Sequence, residues 1–134
     1  MAIQLSTSVR NAMLDAIETT ISTTPVLKLF TGAQPANCAA ANSGTELFSE
    51  TCPSDWAAAA GSGSKAKSGT WQAVGIAAGT AAHFRLYASD GTTCHLQGSV
   101  TATGGGGDLT LDNAVIAVDQ VVTINTFTMN MPNS

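Results

Sequence analysis

The residues of this 134-residue chain best equipped for chemistry are two histidines, three cysteines and nine acids. His83 and His95 come first, because imidazole is the commonest metal ligand and general base. They lie in two alternating apolar and polar stretches joined by Ser89-Asp90-Gly91. If those three residues form a hairpin loop with Gly91 left-handed, Ala88 faces Thr92, Leu86 faces Cys94 and Phe84 faces Leu96. One face then carries Phe84, Leu86, Cys94 and Leu96; the other carries His83, Arg85 and Tyr87 against Gln97, His95 and Thr93. A two-residue loop would set Leu86 opposite His95 and mix the faces, so the pattern favours the first register. The histidines then share the polar face diagonally, with Arg85 across from His95. A fixed guanidinium there repels a divalent cation, so no metal site is expected. The same face, His83, Arg85, Tyr87, His95 and Gln97, is instead a candidate contact patch, since Arg and Tyr are frequent interface anchors. A plain solvated sheet face is the alternative.

The remaining reactive groups do not assemble. Cys38, Cys52 and Cys94 are odd in number and lack CxxC spacing, so free thiols are the default; a Cys38–Cys52 bridge across one loop is the other option. His95 adjoins Cys94, but neighbouring strand residues point to opposite faces. Asp90, Asp108, Asp112 and Asp119 sit at turns, where carboxylates bond local backbone. Asp15 and Glu18 fall on the wet face of a helix, and Glu46, Glu50 and Asp55 flank a short strand. Gly104–Gly107 is not followed by the Lys-Ser/Thr of a phosphate loop, and no GxSxG elbow presents a serine. The chain therefore reads as a non-enzyme without a cofactor.

The elements that would position these residues follow from periodicity. Val9, Ala12, Met13, Ala16, Ile17, Thr20 and Ile21 recur at the helical spacing, with Arg10, Asn11, Asp15 and Glu18 off the stripe. Ser6 or Ser8 caps the start and Pro25 closes the segment. The apolar face (Val9, Met13 and Ile17 among it) must pack on something, either the chain's own sheet or a neighbour. From Pro25 onward the period is two, with strands predicted at Val26–Thr31, Glu46–Thr51, Thr70–Ile76, Ala81–Ala88, Thr93–Thr101, Asp108–Leu111 and Val121–Met131. A single helical turn is expected at Ala57–Ala60 and a flexible exposed segment at Gly61–Gly69. The fold class is mainly β: an antiparallel β-sandwich, jelly-roll or immunoglobulin-like, of seven or eight strands after one amphipathic helix. Residues 1–24 form a helical arm and residues 25–134 the sandwich, one domain overall.

Composition narrows the partners. Only 10% of residues are charged, against roughly 25% in typical soluble domains, and Thr, Ser, Ala and Gly fill the gap. Surfaces of short uncharged side chains lose little entropy on immobilisation and desolvate cheaply, which suits permanent contact with neighbours. A net charge of −4 and scattered basic residues exclude nucleic acid as the expected partner. There is no apolar run long enough for a membrane span and no signal-peptide pattern, so the chain is expected to be made in a cytoplasm.

Four stretches bear a likeness: Arg10–Glu18, Val26–Pro35, Ala82–Tyr87 and Asp108–Asn113. Together they resemble a family of small proteins encoded among the virion structural genes of tailed bacteriophages. The likeness covers most of the chain and brings no catalytic or binding motif with it. It implies virion structure without fixing which part. The leading expectation is a capsid decoration (cement) protein that contacts the major capsid protein or neighbouring structural subunits and self-associates. A head–tail connector, tail or baseplate component is the second expectation. A receptor- or carbohydrate-binding module is the third, with Trp56, Trp71 or Tyr87 as stacking platforms and Trp56, in a loop, the best placed of them.

Overall fold

The structure, a computed structural model, describes residues 3–131. One helix, α1 (Thr7–Ile21), opens where the Ser6 side chain accepts a hydrogen bond from Val9 N and closes at Ser22, whose φ is 71°. Eleven short strands follow: β1 (Val26–Phe30), β2 (Glu46–Thr51), β3 (Ser64–Ala66), β4 (Trp71–Val74), β5 (Gly79–Thr80), β6 (His83–Tyr87), β7 (Cys94–Ala102), β8 (Leu109–Leu111), β9 (Val115–Ile116), β10 (Val121–Ile124) and β11 (Thr128–Asn130). The mainly β class with one helix is as the periodicity predicts. The strand arrangement differs from a continuous antiparallel sandwich.

A five-stranded sheet in the order β2-β1-β6-β7-β8 forms the body, and three separate ribbons, β4/β10, β3/β11 and β5/β9, surround it. Every pairing is antiparallel except β7 with β8, which run parallel from Val100 opposite Leu109 to Ala102 opposite Leu111. The glycine run between these two strands is what permits so tight a return. Gly104 and Gly106 hold φ of 90° and 81°, and a Cβ on Gly107 would stand 2.8 Å from Thr101 N. In place of phosphate, Gly107 N binds the Thr101 hydroxyl.

The core gathers on one face of the sheet. Leu27 and Leu29 of β1 face Leu86 and Phe84 of β6, and the inner side of β4/β10 brings Trp71, Val122 and Ile124. Rings run through it in a chain: Trp56 with Trp71, Trp71 with Phe127, and Phe127 edge-on to Phe84 at 5.5 Å. The opposite face of the sheet is covered by the loop from Thr31 to Thr45, so all five residues of β6 are buried.

Two local expectations are corrected. Gly61–Gly69 is not a free linker: Ser62 and Gly63 adopt positive φ, Gly61 and Ser64 exchange backbone hydrogen bonds, and β3 pairs with β11. Nor is Ala57–Ala60 a helical turn, since Ala57 bridges to Lys67 and Ala58 N binds Ala66 O in extended geometry. The long strand expected at Val121–Met131 divides at Asn125–Phe127, where Phe127 turns into the core.

Candidate functional site

Helix α1 docks through Leu14, through Ile17 and Ile21 at the C-terminal end of its apolar stripe, and through polar residues off that stripe. Leu14 and Ile21 are buried, and polar side chains from Arg10 to Glu18 add further anchors. Asn11 Oδ1 accepts from Gly63 N, Arg10 donates to Met131 O, and Asp15 accepts from Ala60 N. Lys65 of β3 reaches up to this face with its side chain fully enclosed. Its ammonium lies 2.7 Å from Asp15 Oδ1, 2.6 Å from Glu18 Oε2 and 2.8 Å from Ala58 O, which satisfies all three N–H groups. Burial alone would lower the Lys65 pKa; its hydrogen bonds to the two carboxylates outweigh this and raise it. The Lys65 hydrogen bond in turn holds the Asp15 carboxyl below its ordinary value. Asp15 and Glu18 thus anchor the helix while keeping part of each side chain in water, a role that the expected wet face did not include.

The apolar stripe is divided: Ile21 is buried in the core and Ile17 packs against it, while the stripe's N-terminal part faces out. Val9 is 46% and Met13 42% exposed, one turn apart, with Ala12 and Ala16 also exposed beside them. Met13, Ala16, Ile17, Thr20 and Ile21 line a shallow cleft of about 250 Å³ with His95 on its far wall. Three of the candidate contact residues, Met13, Ile17 and His95, therefore converge on one surface, and Val9 extends it along the helix.

The other four, His83, Arg85, Tyr87 and Gln97, lie elsewhere. The β6–β7 hairpin pairs Arg85 with Gln97, Leu86 with Leu96 and Tyr87 with Cys94, so a bulge at His95 skips that residue. The connection is a residue longer than predicted, with Ala88 N bound to Thr93 O, although Gly91 is left-handed as expected. Asp90 accepts from Thr92 N, Thr93 N and the Thr93 hydroxyl, bonds that hold its carboxyl far below its ordinary value. The consequence is that His95 turns toward the helix while Cys94 joins the face of Tyr87 and Arg85.

That face is not a free contact patch, because this chain's own loop covers it. Arg85 donates to Cys38 O at 2.7 Å and to Asn42 Oδ1 at 3.1 Å, and Tyr87 OH donates to the same Asn42 oxygen. Gln97 Nε2 donates to Pro35 O. His83 stacks on Phe30 with ring centroids 5.2 Å apart, and its Nδ1 bonds Gly32 O. His83 and Arg85 are 0% and 1% exposed, which removes them from any open interface. Burial pushes the Tyr87 phenol above its ordinary pKa, against the pull of Arg85. A signal for this arrangement was present: uncharged Asn37 and Asn42 in a loop facing an otherwise unpartnered Arg.

A second exposed apolar surface was missed. On the outer side of the β4/β10 ribbon Val74 stands opposite Val121, both about half exposed, and Ile76 and Val118 in flanking turns and Val115 of β9 are also exposed. The alternation that buries Trp71, Val122 and Ile124 could have shown it, since two of the ribbon's outward positions, Val74 and Val121, are apolar beside the polar pair Gln72 and Thr123.

All seven aromatic side chains are buried, Trp56 and Trp71 completely. Trp56 Nε1 donates to Ser22 O at the end of α1, so it is a helix clamp and not a stacking platform. Among the described residues no three His, Cys, Asp or Glu side chains converge as metal ligands, and no helix is long and apolar enough to cross a membrane. Comparison with protein-family models, curated proteins and solved structures yields no match.

Proposed function

We propose that this chain is a structural subunit of a tailed-bacteriophage virion, a capsid decoration (cement) protein that acts by surface contact and not by turnover. The observation that carries the reading is the exposed N-terminal half of the helix's apolar stripe. A helix that spends its polar residues on docking and leaves Val9, Met13, Ala12 and Ala16 in water presents a surface suited to a neighbouring subunit. The half-exposed valines of β4/β10 offer a second contact, which fits a body that touches more than one neighbour or a copy of itself. The low charge of the chain supports the same reading, since few ions need desolvating on assembly.

The rigid body is read as a β-sandwich whose second layer has split into ribbons; one shared core spanning sheet and ribbons supports this. Assembly in a host cytoplasm and residence in the particle complete the proposal, supported by three free cysteines. Quantitative mass spectrometry of purified particles tests it. A copy number comparable with that of the major capsid protein is expected. A copy number of three, six or twelve per particle would move the chain to the connector, tail or baseplate, and absence from the particle would end the virion reading.

A further inference from the structure

The structure assigns Cys38 and Cys94 as a reversible disulfide site that staples the Thr31–Thr45 loop to β7, independently of the virion reading. Neither the spacing in sequence, for which free thiols are the default, nor the alternative Cys38–Cys52 bridge points to this pair. Three separate observations bring the two thiols together. The bulge at His95 pairs Cys94 with Tyr87 and so places its side chain on the loop-covered face. Arg85, on that same face, draws the Cys38 backbone into place through the 2.7 Å bond to its carbonyl. The Cys94 thiol, bonded to Leu96 O at 3.5 Å, also stands near enough to Cys38 to raise the Cys38 pKa. Both residues are partly exposed, so a small oxidant can reach them. Cys52 is buried elsewhere, in the Trp56 core, with its thiol pushed up to about 12 by burial and by the nearby Glu50.

The oxidant is a low-molecular-weight disulfide. One protein thiol loses its proton and attacks a sulfur of that disulfide, forming a mixed disulfide and expelling one small thiolate. The second protein thiol, deprotonated in turn, attacks the protein sulfur of the mixed disulfide and expels the second small thiolate. One S–S bond is made in the protein, one small disulfide is reduced to two thiols, and the two protons pass to the expelled thiolates. Burial raises the Cys38 thiol above its ordinary value, so the exchange runs faster in mild alkali.

The test is to incubate the whole native chain with oxidised glutathione at pH 8, quench in acid, and read intact mass and tryptic peptides without reduction. The intact mass should fall by about 2 Da, with one alkylatable thiol left at Cys52 and a peptide linking Cys38 to Cys94. Dithiothreitol should reverse it. Closure of so long a loop should raise the melting temperature by about 10 °C. Cys52→Ser should oxidise as the parent does, whereas Cys38→Ser should retain only a glutathione adduct. A parent chain that keeps three alkylatable thiols, stops at glutathione adducts, or links either residue to Cys52 would overturn the assignment.

Discussion

Replacing Lys65 separates two accounts of how α1 is held. The ammonium is fully enclosed, whereas the carboxylates it meets keep 47% of the Asp15 side chain and 29% of the Glu18 side chain in contact with water. Lys65→Met keeps most of the aliphatic packing and removes the buried charge of this cluster; the acids left behind turn to solvent, so the loss should be only about 1–2 kcal/mol. Removing the acids is worse, because D15N/E18Q strands the Lys65 ammonium where water cannot reach it. That should destabilise by about 3–5 kcal/mol. Adding Lys65→Met to the acid pair should then recover part of the loss, a sign reversal that simple summation of contacts does not give. Urea unfolding followed by tryptophan fluorescence reads all three variants, since Trp56 is bonded to Ser22 at the helix terminus and Trp71 lies beside it. The pH profile should agree. Asp15 sits below its ordinary 3.8 in the folded chain, so its contribution is present above that value and fades as pH falls through the folded pKa. Lys65 sits above its ordinary 10.5, so its contribution persists below that value and is lost as pH climbs through the folded pKa. A triple variant less stable than D15N/E18Q, at constant m, would refute the reasoning.

Three further outcomes follow from other buried polar groups. Glu50 is almost enclosed, its Oε2 has no partner, and burial raises its pKa; Glu50→Gln should therefore gain stability over the parent near pH 7, and the gain should vanish below the ordinary 4.5, where both states of the parent are protonated, as urea midpoints at the two pH values will show. Trp56→Phe should cost about 1–2 kcal/mol by orphaning Ser22 O, and Trp56→Ala about 3–5 kcal/mol through the cavity it leaves, measured by the same unfolding curves. Arg85→Leu should speed amide exchange across residues 33–45 and alkylation of Cys38, while global stability falls by less than about 2 kcal/mol, because the charge removed has only neutral hydrogen-bond partners.

Strand positions were legible because alternation survives in short segments: Glu46–Thr51 has the same limits in sequence and structure, and Val26–Phe30 differs by one residue. Register was less so. One bulged residue, His95, is invisible to a period of two, yet it moves Cys94 from the core face to the loop-covered face. The helix shows the deeper difficulty. Its apolar stripe is a true periodicity, but which face docks was decided by a lysine fifty residues away and by a Gly-Ser turn that composition alone marks as flexible. Pairwise satisfaction of polar groups thus shares the docking with burial of Leu14 and Ile21 and leaves Val9 and Met13 outside. The outcome for the candidate residues is mixed for the same reason: Val9, Met13, Ile17 and His95 share an accessible surface, while His83, Arg85, Tyr87 and Gln97 are held under the chain's own loop.

The claim that outward-facing α1 is the working surface is tested most directly by adding purified chain to particles that lack it and measuring uptake. Val9→Asp with Met13→Asp alters two side chains that are nearly half in water and absent from the core, so the melting temperature should stay close to the parent's. The parent should saturate the particle lattice and the double variant should fail to load. Equal loading of both would contradict the account.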